Sequence, residues 1–304
     1  MSVVGLHHVT ATVGDPQQDV DFWIDVLGLR LVKRTVDVDE PSAYHLYYGN
    51  EAGTPGTIVS TIAGLRGPHA QPGAGQTLAV TFSVPPESLA FWRTRLHEHG
   101  IPFADGRPRF DDECLVLRDS SGLILELMAA ADARTPWEST IDRAHAVRGL
   151  HSVAIVVEWA ESTIDFFVNA LGWRQAREEP GRIRVVFGEE EPGRIIDVLH
   201  DHDATPAIDG IGCVRSVALT VDDLDETRQR IVGYGVDASD IRDHGYFSSF
   251  QFRAPGGVLF EAATSGPGFL VDEDLRSLGL GLQLPASLES ERERILARLP
   301  SVSV

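Results

Sequence analysis

Residues 21–29 read DFWIDVLGL, and residues 165–173 read DFFVNALGW. At equal spacing before each copy stands a short apolar stretch with a histidine, LHHV at residues 6–9 and LHSV at residues 150–153. Self-similarity of this kind is the sequence signature of a duplicated structural unit. The chain is therefore expected to contain at least two copies of one arrangement of strand and helix.

Two weaker copies complete the pattern. Residues 78–84 and 217–221 alternate like strands, and a helical stretch after each ends near Gly100 or Gly235, as helices commonly do. Each unit closes with a glycine-led strand, at residues 55–60, 121–126, 192–197 and 256–261. Four β-α-β-β-β units are predicted, spanning roughly 5–62, 76–130, 149–200 and 212–264.

Strands predominate over helices in this pattern, and the strands of one unit cannot close a sheet by themselves. Pairing of units buries the open edges. The predicted fold class is therefore α+β, with four tandem βαβββ modules paired into two open β-cups. The predicted division is a first domain at 1–130, a linker at 131–148, a second domain at 149–264, and a C-terminal tail at 265–304 with a short helix.

Composition limits the classes of function. The chain has 304 residues, 43% hydrophobic and 23% charged, and a formal net charge of −19, which argues against nucleic acid or an anionic membrane as a partner. No apolar run reaches about 18 residues, so no membrane helix is expected. Only two cysteines, Cys114 and Cys213, occur in the chain, and they are interpreted as small buried hydrophobes in a cytoplasmic protein.

The tandem βαβββ arrangement resembles the vicinal oxygen chelate superfamily, also called the glyoxalase/bleomycin resistance/extradiol dioxygenase fold. Several motifs are similar to those of the hydroquinone-type ring-cleaving dioxygenases within it. They stand in one order over nearly the whole chain: GLHHVT at 5–10, YHLYYG at 44–49, GYF at 245–247, RAPGGVLFE at 253–261 and DED at 272–274.

The resemblance implies a metal held in a cup by residues on the first and last strands of modules. Aligning the four modules gives first-strand positions His8, Ala79, Ser152 and Ser216, and last-strand positions Ser60, Glu126, Asp197 and Glu261. Modules one and four therefore supply the strongest ligand pair, His8 and Glu261. A second metal site at Glu126 and Asp197 is not expected, because their partner positions are Ala79 and Ser152.

Enzymes of this family bind Fe(II) through two histidines and one carboxylate, which leaves positions open for substrate and O2. The first histidine falls on His8 and the carboxylate on Glu261, but the expected second histidine is Ser216. Arg215, usually also histidine, precedes it. The family arginine before Gly-Tyr is His244, and a family tyrosine is Phe250. His244 is interpreted as a surface-loop histidine, and the alternative interpretation makes it the nearby replacement ligand.

Other residues are interpreted by their place in the pattern. Strand alternation predicts that His7 faces away from His8. His7, Arg215, His244 and Tyr246 are expected to position substrate or to handle protons. His45 is interpreted as a structural, hydrogen-bonding histidine. His151 occupies the position equivalent to His7 and is also interpreted as structural.

The leading functional hypothesis is a non-haem extradiol-type dioxygenase that cleaves a small hydroxylated aromatic substrate with O2. Its expected cofactor is Fe(II), with Mn(II) or no metal as alternatives. The second hypothesis is a metal-free cup that binds an aromatic, quinone-like or antibiotic molecule. A third, isomerisation or epoxide opening, shares His8 and Glu261. A homo-oligomer is expected by analogy alone.

Overall fold

The structure is a computed structural model that describes residues 3–107, 109–110 and 112–304. Module one comprises β1 (Val3–Val13), α1 (Pro16–Asp21), β2 (Arg30–Val36), β3 (Tyr44–Gly49) and β4 (Ile58–Ala63). Module two comprises β5 (Gln76–Val84), α2 (Leu89–Glu98), β6 (Phe103–Asp105), β7 (Cys114–Arg118) and β8 (Ile124–Ala129).

Module three comprises β9 (Gly149–Val157), α3 (Ala160–Asp165), β10 (Arg174–Glu179), β11 (Arg182–Val186) and β12 (Ile195–His200). Module four comprises β13 (Cys213–Val221), α4 (Leu224–Gly233), β14 (Arg242–Asp243), β15 (Phe247–Arg253) and β16 (Leu259–Pro267). The tail holds α5 (Arg292–Leu296). Across the described ranges, no helix is long and apolar enough to cross a membrane.

The predicted fold class is confirmed, and the pairing of modules crosses the middle of the chain. β1 runs antiparallel to β13, which joins module one to module four, and β5 runs antiparallel to β9, which joins module two to module three. In every module the first and last strands are parallel neighbours. We call modules one and four the site cup and modules two and three the plugged cup. The predicted domain limits at 130 and 149 stay a prediction. The pairing of β5 with β9 joins strands from either side of these limits.

The repeated motif packs a helix against the outer face of each cup's sheet. After α1, residues 22–26 form one π-helical turn, and Phe22 and Trp23 are buried. Gly28 ends that turn at a φ of +71°, a conformation that favours glycine. A Cβ there would lie 2.7 Å from Ile141, so the glycine also permits close packing. The same plan recurs at residues 166–172.

Each first strand carries a β-bulge at one repeated place. The register of β1 against β13 skips His7 and Arg215, and the register of β5 against β9 skips Leu78 and His151. Each skipped residue stands one place before the first-strand position aligned from sequence. A bulge places two consecutive side chains opposite one partner residue and re-aims them. The bulge is therefore part of the repeated unit. At these four residues the side chains of the strand do not alternate strictly between the two faces of the sheet.

Arg134 ties the two cups together at their junction. Its guanidinium donates to the carbonyl oxygens of Gly56 and Leu150, each at 2.7 Å, and Asp132 pairs with it. Gly149 allows this approach, because a Cβ there would stand 2.7 Å from the Gly56 oxygen. The segment predicted as a linker thus contributes bonds that fix one cup on the other.

The C-terminal tail covers the outer edge of module one. Lys33 of β2 is fully buried and pairs with Asp272, at 2.6 Å, and with Glu273. Further along, Gln283 donates its backbone N–H to the Arg34 carbonyl. An uncovered edge strand invites pairing with other chains. The tail closes the β2 edge and binds module four back to module one.

A buried acid supports the helix of module one. Asp19 accepts hydrogen bonds from Trp23 Nε1 at 2.9 Å, the Tyr48 hydroxyl at 2.8 Å and the Thr61 hydroxyl at 2.5 Å. All three donors are neutral. Burial therefore raises the pKa of Asp19 from 3.8 to about 7, although the hydrogen bonds oppose that rise.

We expect Asp19→Asn to change how stability depends on pH. Between pH 4 and pH 7 the folded chain keeps a proton on Asp19 that the unfolded chain has lost, so this group's contribution to the free energy of unfolding falls as pH rises. The variant should lack that fall, which amounts to about 2–4 kcal/mol across the range. Urea unfolding at pH 5 and pH 8 measures it.

Asp21→Asn is the matched control, since Asp21 is an exposed residue of the same helix. It should keep the wild-type pH dependence. Equal slopes for Asp19→Asn and wild type would contradict the assignment.

Candidate functional site

A cavity of about 340 Å³ opens in the site cup. Its walls combine residues from both ends of the chain, and the predicted residues among them are His8, Arg215, Ser216, His244, Phe250 and Glu261. β1 supplies His8, β13 supplies Arg215 and Ser216, and β16 supplies Glu261. The pairing of β1 with β13, and of β13 with β16, therefore brings together the positions aligned from sequence.

His7 and His8 contact each other, which overturns the prediction that they face opposite ways. Their Nδ1 atoms are 2.9 Å apart, and both rings pack against Phe247 with centroids 5.1 and 5.2 Å away. The bulge at His7 is the reason, since it breaks the alternation of β1 at that residue.

The hydrogen bonds of this pair fix the proton positions. His7 Nε2 lies 3.1 Å from the Thr264 carbonyl oxygen, which can only accept, so Nε2 carries a proton. Burial lowers the pKa of both histidines to about 3, so both rings are neutral at pH 7. His7 Nδ1 must then accept from His8 Nδ1. His8 Nε2 is left with a free lone pair, and it has no hydrogen-bond partner within the described ranges.

Glu261 is a buried carboxyl group in the cavity wall. It stands opposite Gln251 of β15 and is only 6% exposed. Burial raises its pKa, while hydrogen bonds from Ser249 and Gln251 and the nearby His244 act in the opposite direction. A cation bound beside Glu261 would favour its ionised form.

Arg215 enters the cavity because of the bulge in β13. Its side chain is 47% exposed, and its ion pair with Asp37 is long, at 3.9 Å. The charge of Arg215 helps to lower the pKa of His45, after burial. Its guanidinium donors are thus available to a bound molecule.

His244 and Tyr246 differ in where the structure places them. His244 lines the cavity mouth and its Nε2 lies 2.9 Å from the Ser249 hydroxyl. Tyr246 is not among the described residues that line the cavity. Its hydroxyl donates to Asp272 at 3.0 Å, and its ring packs against Phe269. Tyr246 thus belongs to the packing of the tail.

Several cavity residues were not predicted as such. His45 bonds to Ser60 and Tyr47, as a hydrogen-bonding histidine should, but it also lines the cavity together with Tyr47. Ser249 and Gln251 line it from β15. Ser249 and Gln251 are two residues apart on the strand that precedes and pairs with the strand of Glu261. Residues spaced by two point to the same face of a sheet, and this spacing could have predicted that both side chains line the cavity.

The donor set for a metal is incomplete in this conformation. His8 Nε2 and the Glu261 carboxylate are suitable donors. However, no group of three or more His, Cys, Asp or Glu residues in the described part of the chain could hold an ion. Ser216 offers only a neutral hydroxyl. His8 and Glu261 are therefore the two strong donors aligned from sequence that line the cavity, and His244 lines it as well.

The corresponding space in the plugged cup is filled by arginines. Arg109 makes two hydrogen bonds to Glu126, and Arg184 makes two to Asp197, at 2.8 and 3.1 Å. Arg182 also reaches Asp197 at 2.8 Å. Both carboxylates at the aligned positions are therefore paired with the protein's own cations.

Comparison with known proteins places this chain among related sequences. Residues 5–127 and 149–262 match the family model described as the Glyoxalase/Bleomycin resistance protein/Dioxygenase superfamily. The chain is 36% identical over 306 residues to "Putative ring-cleaving dioxygenase MhqE" of Bacillus subtilis, covering 99% of this chain and 100% of that protein. It is 34% identical over 309 residues to "Chlorohydroquinone/hydroquinone 1,2-dioxygenase" of Sphingobium indicum, covering 97% and 95%.

Solved structures agree with the fold. The crystal structure of a putative dioxygenase from Bacillus subtilis superposes with a TM-score of 0.94 at 32% identity, covering 100% of this chain and 98% of that one. Glyoxalase I from Zea mays superposes with a TM-score of 0.65 at 15% identity, covering 86% and 92%. The second likeness concerns the fold alone.

We expect His7→Leu to change the tautomer of His8. Without the His7 acceptor, the proton should move from His8 Nδ1 toward Nε2, because Nδ1 loses its only partner in the described structure. Long-range proton–nitrogen NMR spectra of protein labelled at histidine nitrogens distinguish the two forms. His99→Leu, at an exposed helix end, should leave the His8 signals unchanged. Unchanged His8 signals in His7→Leu would contradict the assignment.

We expect Arg109→Met to destabilise the plugged cup strongly. It leaves the carboxylate of Glu126 buried without its cation, which costs about 3–5 kcal/mol in the free energy of unfolding. Arg93→Met is the control, since Arg93 and Asp105 form an exposed pair worth at most about 1 kcal/mol. Urea unfolding measures both. A loss in Arg109→Met no larger than the control's would contradict the role of the network.

Proposed function

The chain belongs to the Glyoxalase/Bleomycin resistance protein/Dioxygenase superfamily, and on that premise we propose that it is a metal-dependent ring-cleaving dioxygenase. Its substrate would be a small hydroxylated aromatic of the hydroquinone or catechol type, and its second substrate O2. Full-length similarity to "Chlorohydroquinone/hydroquinone 1,2-dioxygenase" supports the substrate class.

One observation carries the proposal beyond similarity. His8 offers an unprotonated Nε2, fixed by the hydrogen bonds of His7, in the same cavity as the buried carboxyl of Glu261. An orienting partner on the second nitrogen is the usual support of a metal-binding histidine. Both residues also stand at the positions that the sequence repeat makes equivalent among the four modules.

The proposed metal ligands are His8 and Glu261, with His244 completing the set in exchange for its bond to Ser249. When bound, Fe(II) or Mn(II) would supply the Lewis acidity that ionises a phenol and the redox capacity that ring cleavage by O2 requires. His7 would hold His8 in its ligand tautomer, which is a positioning role.

Other cavity residues would act on the substrate itself. The cavity volume of about 340 Å³ suits a single-ring molecule, and Phe247, Phe250 and Ile62 give it apolar walls. Arg215 would stabilise negative charge on an ionised phenolic oxygen through its free guanidinium donors. Tyr246 would act indirectly. Its hydrogen bond to Asp272 would hold the segment that carries His244 and Phe247 against the tail.

A second candidate function is favoured by a specific observation. Ser216 stands where a second strong donor is expected, and the described residues contain no cluster of three donors. The same cavity without metal would bind an aromatic or quinone-like molecule and leave it unchanged. The two functions differ in metal content and in O2 consumption.

We expect about one Fe(II) or Mn(II) per chain after purification without oxygen. His8→Ala and Glu261→Ala should each lose the metal, because one strong donor and a serine do not retain a labile divalent ion. His244→Ala should weaken retention less if it supplies the third donor. Elemental analysis measures the metal, and an oxygen electrode with hydroquinone as substrate measures turnover.

His97→Ala is the control, since His97 is exposed on α2, and it should keep both metal and turnover. A wild-type protein that neither contains nor takes up metal, and that consumes no O2 with hydroquinone, would overturn the dioxygenase proposal in favour of the metal-free cup.

A further inference from the structure

A second, smaller space adjoins the cavity of the site cup. This cleft has a volume of about 190 Å³ and shares Arg215 and Gln251 with the cavity as common walls. Beyond them it is lined by Arg253, Gln76 and Asp209, among others. A molecule seated in the cavity could therefore extend past Arg215 and Gln251 into the cleft.

The two spaces differ in charge. Four carboxylates line the cavity together with Arg215 and Arg242, and none of the four lines the cleft: Asp37, Asp39, Asp243 and Glu261. The charged residues of the cleft are two arginines and one aspartate, and that aspartate, Asp209, accepts a hydrogen bond from the Gln76 amide at 3.1 Å. A negative group is thus disfavoured at the acidic side of the cavity and favoured in the cleft.

Both arginines have donors to spare. Arg215 makes only a 3.9 Å ion pair with Asp37, and Arg253 donates to the Gly257 carbonyl at 2.8 Å. Neither has a carboxylate within close hydrogen-bond distance among the described residues. Planar guanidinium groups with free donors are well suited to a carboxylate.

The geometry of β15 gives the reach of such a ligand. Gln251 and Arg253 are two residues apart on one face of the strand, and both are exposed. Two residues along a strand span about 7 Å. A group bound by Arg253 therefore lies about 7 Å beyond the wall that Gln251 forms, the length of a short alkyl arm.

We infer that this cleft is a subsite for an anionic arm, so that the substrate is a hydroxylated aromatic ring carrying a carboxylate on a chain of about two or three carbons. The inference rests on the proposed function for the placement of the ring. Arg253 would determine specificity and would take no part in ring cleavage. Arg215 would contact the ring's oxygen, and Arg253 would bind the carboxylate of the arm.

The test compares two matched ligands. One is a hydroquinone with a propanoate arm, and the other is the methyl ester of the same compound, which is larger by one methyl group and carries no charge. Calorimetric titration under argon, with Fe(II) present, measures the dissociation constants without turnover. Wild type should bind the acid about tenfold more tightly than the ester.

Arg253→Gln should remove that preference while binding the ester as wild type does. Arg230→Gln, an exposed arginine on α4, should keep the preference. Higher salt should weaken binding of the acid and spare the ester, because exposed charges are screened. Circular dichroism melting of each variant checks that it is folded.

Failure of the inference and failure of the proposed function give different results. If wild type binds the ester as tightly as the acid, the cleft takes no anionic arm, while binding of the ring remains supported. If wild type binds neither compound, the proposed function fails and the inference fails with it. A preference for the acid that persists in Arg253→Gln would also overturn the assignment of the cleft.

Discussion

Antiparallel pairing between β1 and β13 joins the first module of the chain to the last, and the site cup exists only through this contact. β1 carries His8, and β13 carries Arg215 and Ser216 while also pairing in parallel with β16, which carries Glu261. The two strongest candidate ligands thus come from opposite ends of the sequence. Buried neighbours fix the register, because a slip by one residue would turn every side chain to the other face.

The two cups show how one backbone plan can hold different chemistry. Bulges recur at equivalent places in all four first strands. In the site cup they bring His7 against His8 and place Arg215 in the cavity wall. In the plugged cup the last-strand carboxylates are paired with arginines. Arg184 stands opposite Asp197 there, and at the equivalent place in the site cup Tyr47 stands opposite Ser60. The duplicated unit has kept its geometry, and only its side chains decide whether the space is open.

Much of this architecture could be predicted from sequence, because the repeat DF…LG and the glycine-led strands carry it directly. Aligning the copies also placed His8 and Glu261 in one cavity. The orientation of His7 could not be predicted, since strand alternation holds only where pairing is regular and a bulge leaves no clear sequence signal. The surroundings of Tyr246 could not be predicted for another reason: its hydroxyl donates to Asp272 of the tail, a contact between distant segments that no local pattern reveals.

The order of module pairing has a consequence for how the protein is made. A ribosome releases β1 early, but its partner β13 follows about 200 residues later, a delay of roughly ten to forty seconds at ordinary rates of translation. The plugged cup, whose modules are consecutive, can fold during that interval with its arginine network complete. The nascent chain must meanwhile keep one edge of β1 from pairing with neighbouring polypeptides on the same messenger RNA. The plugged cup would then fold first, and the strands of the site cup would assemble against it.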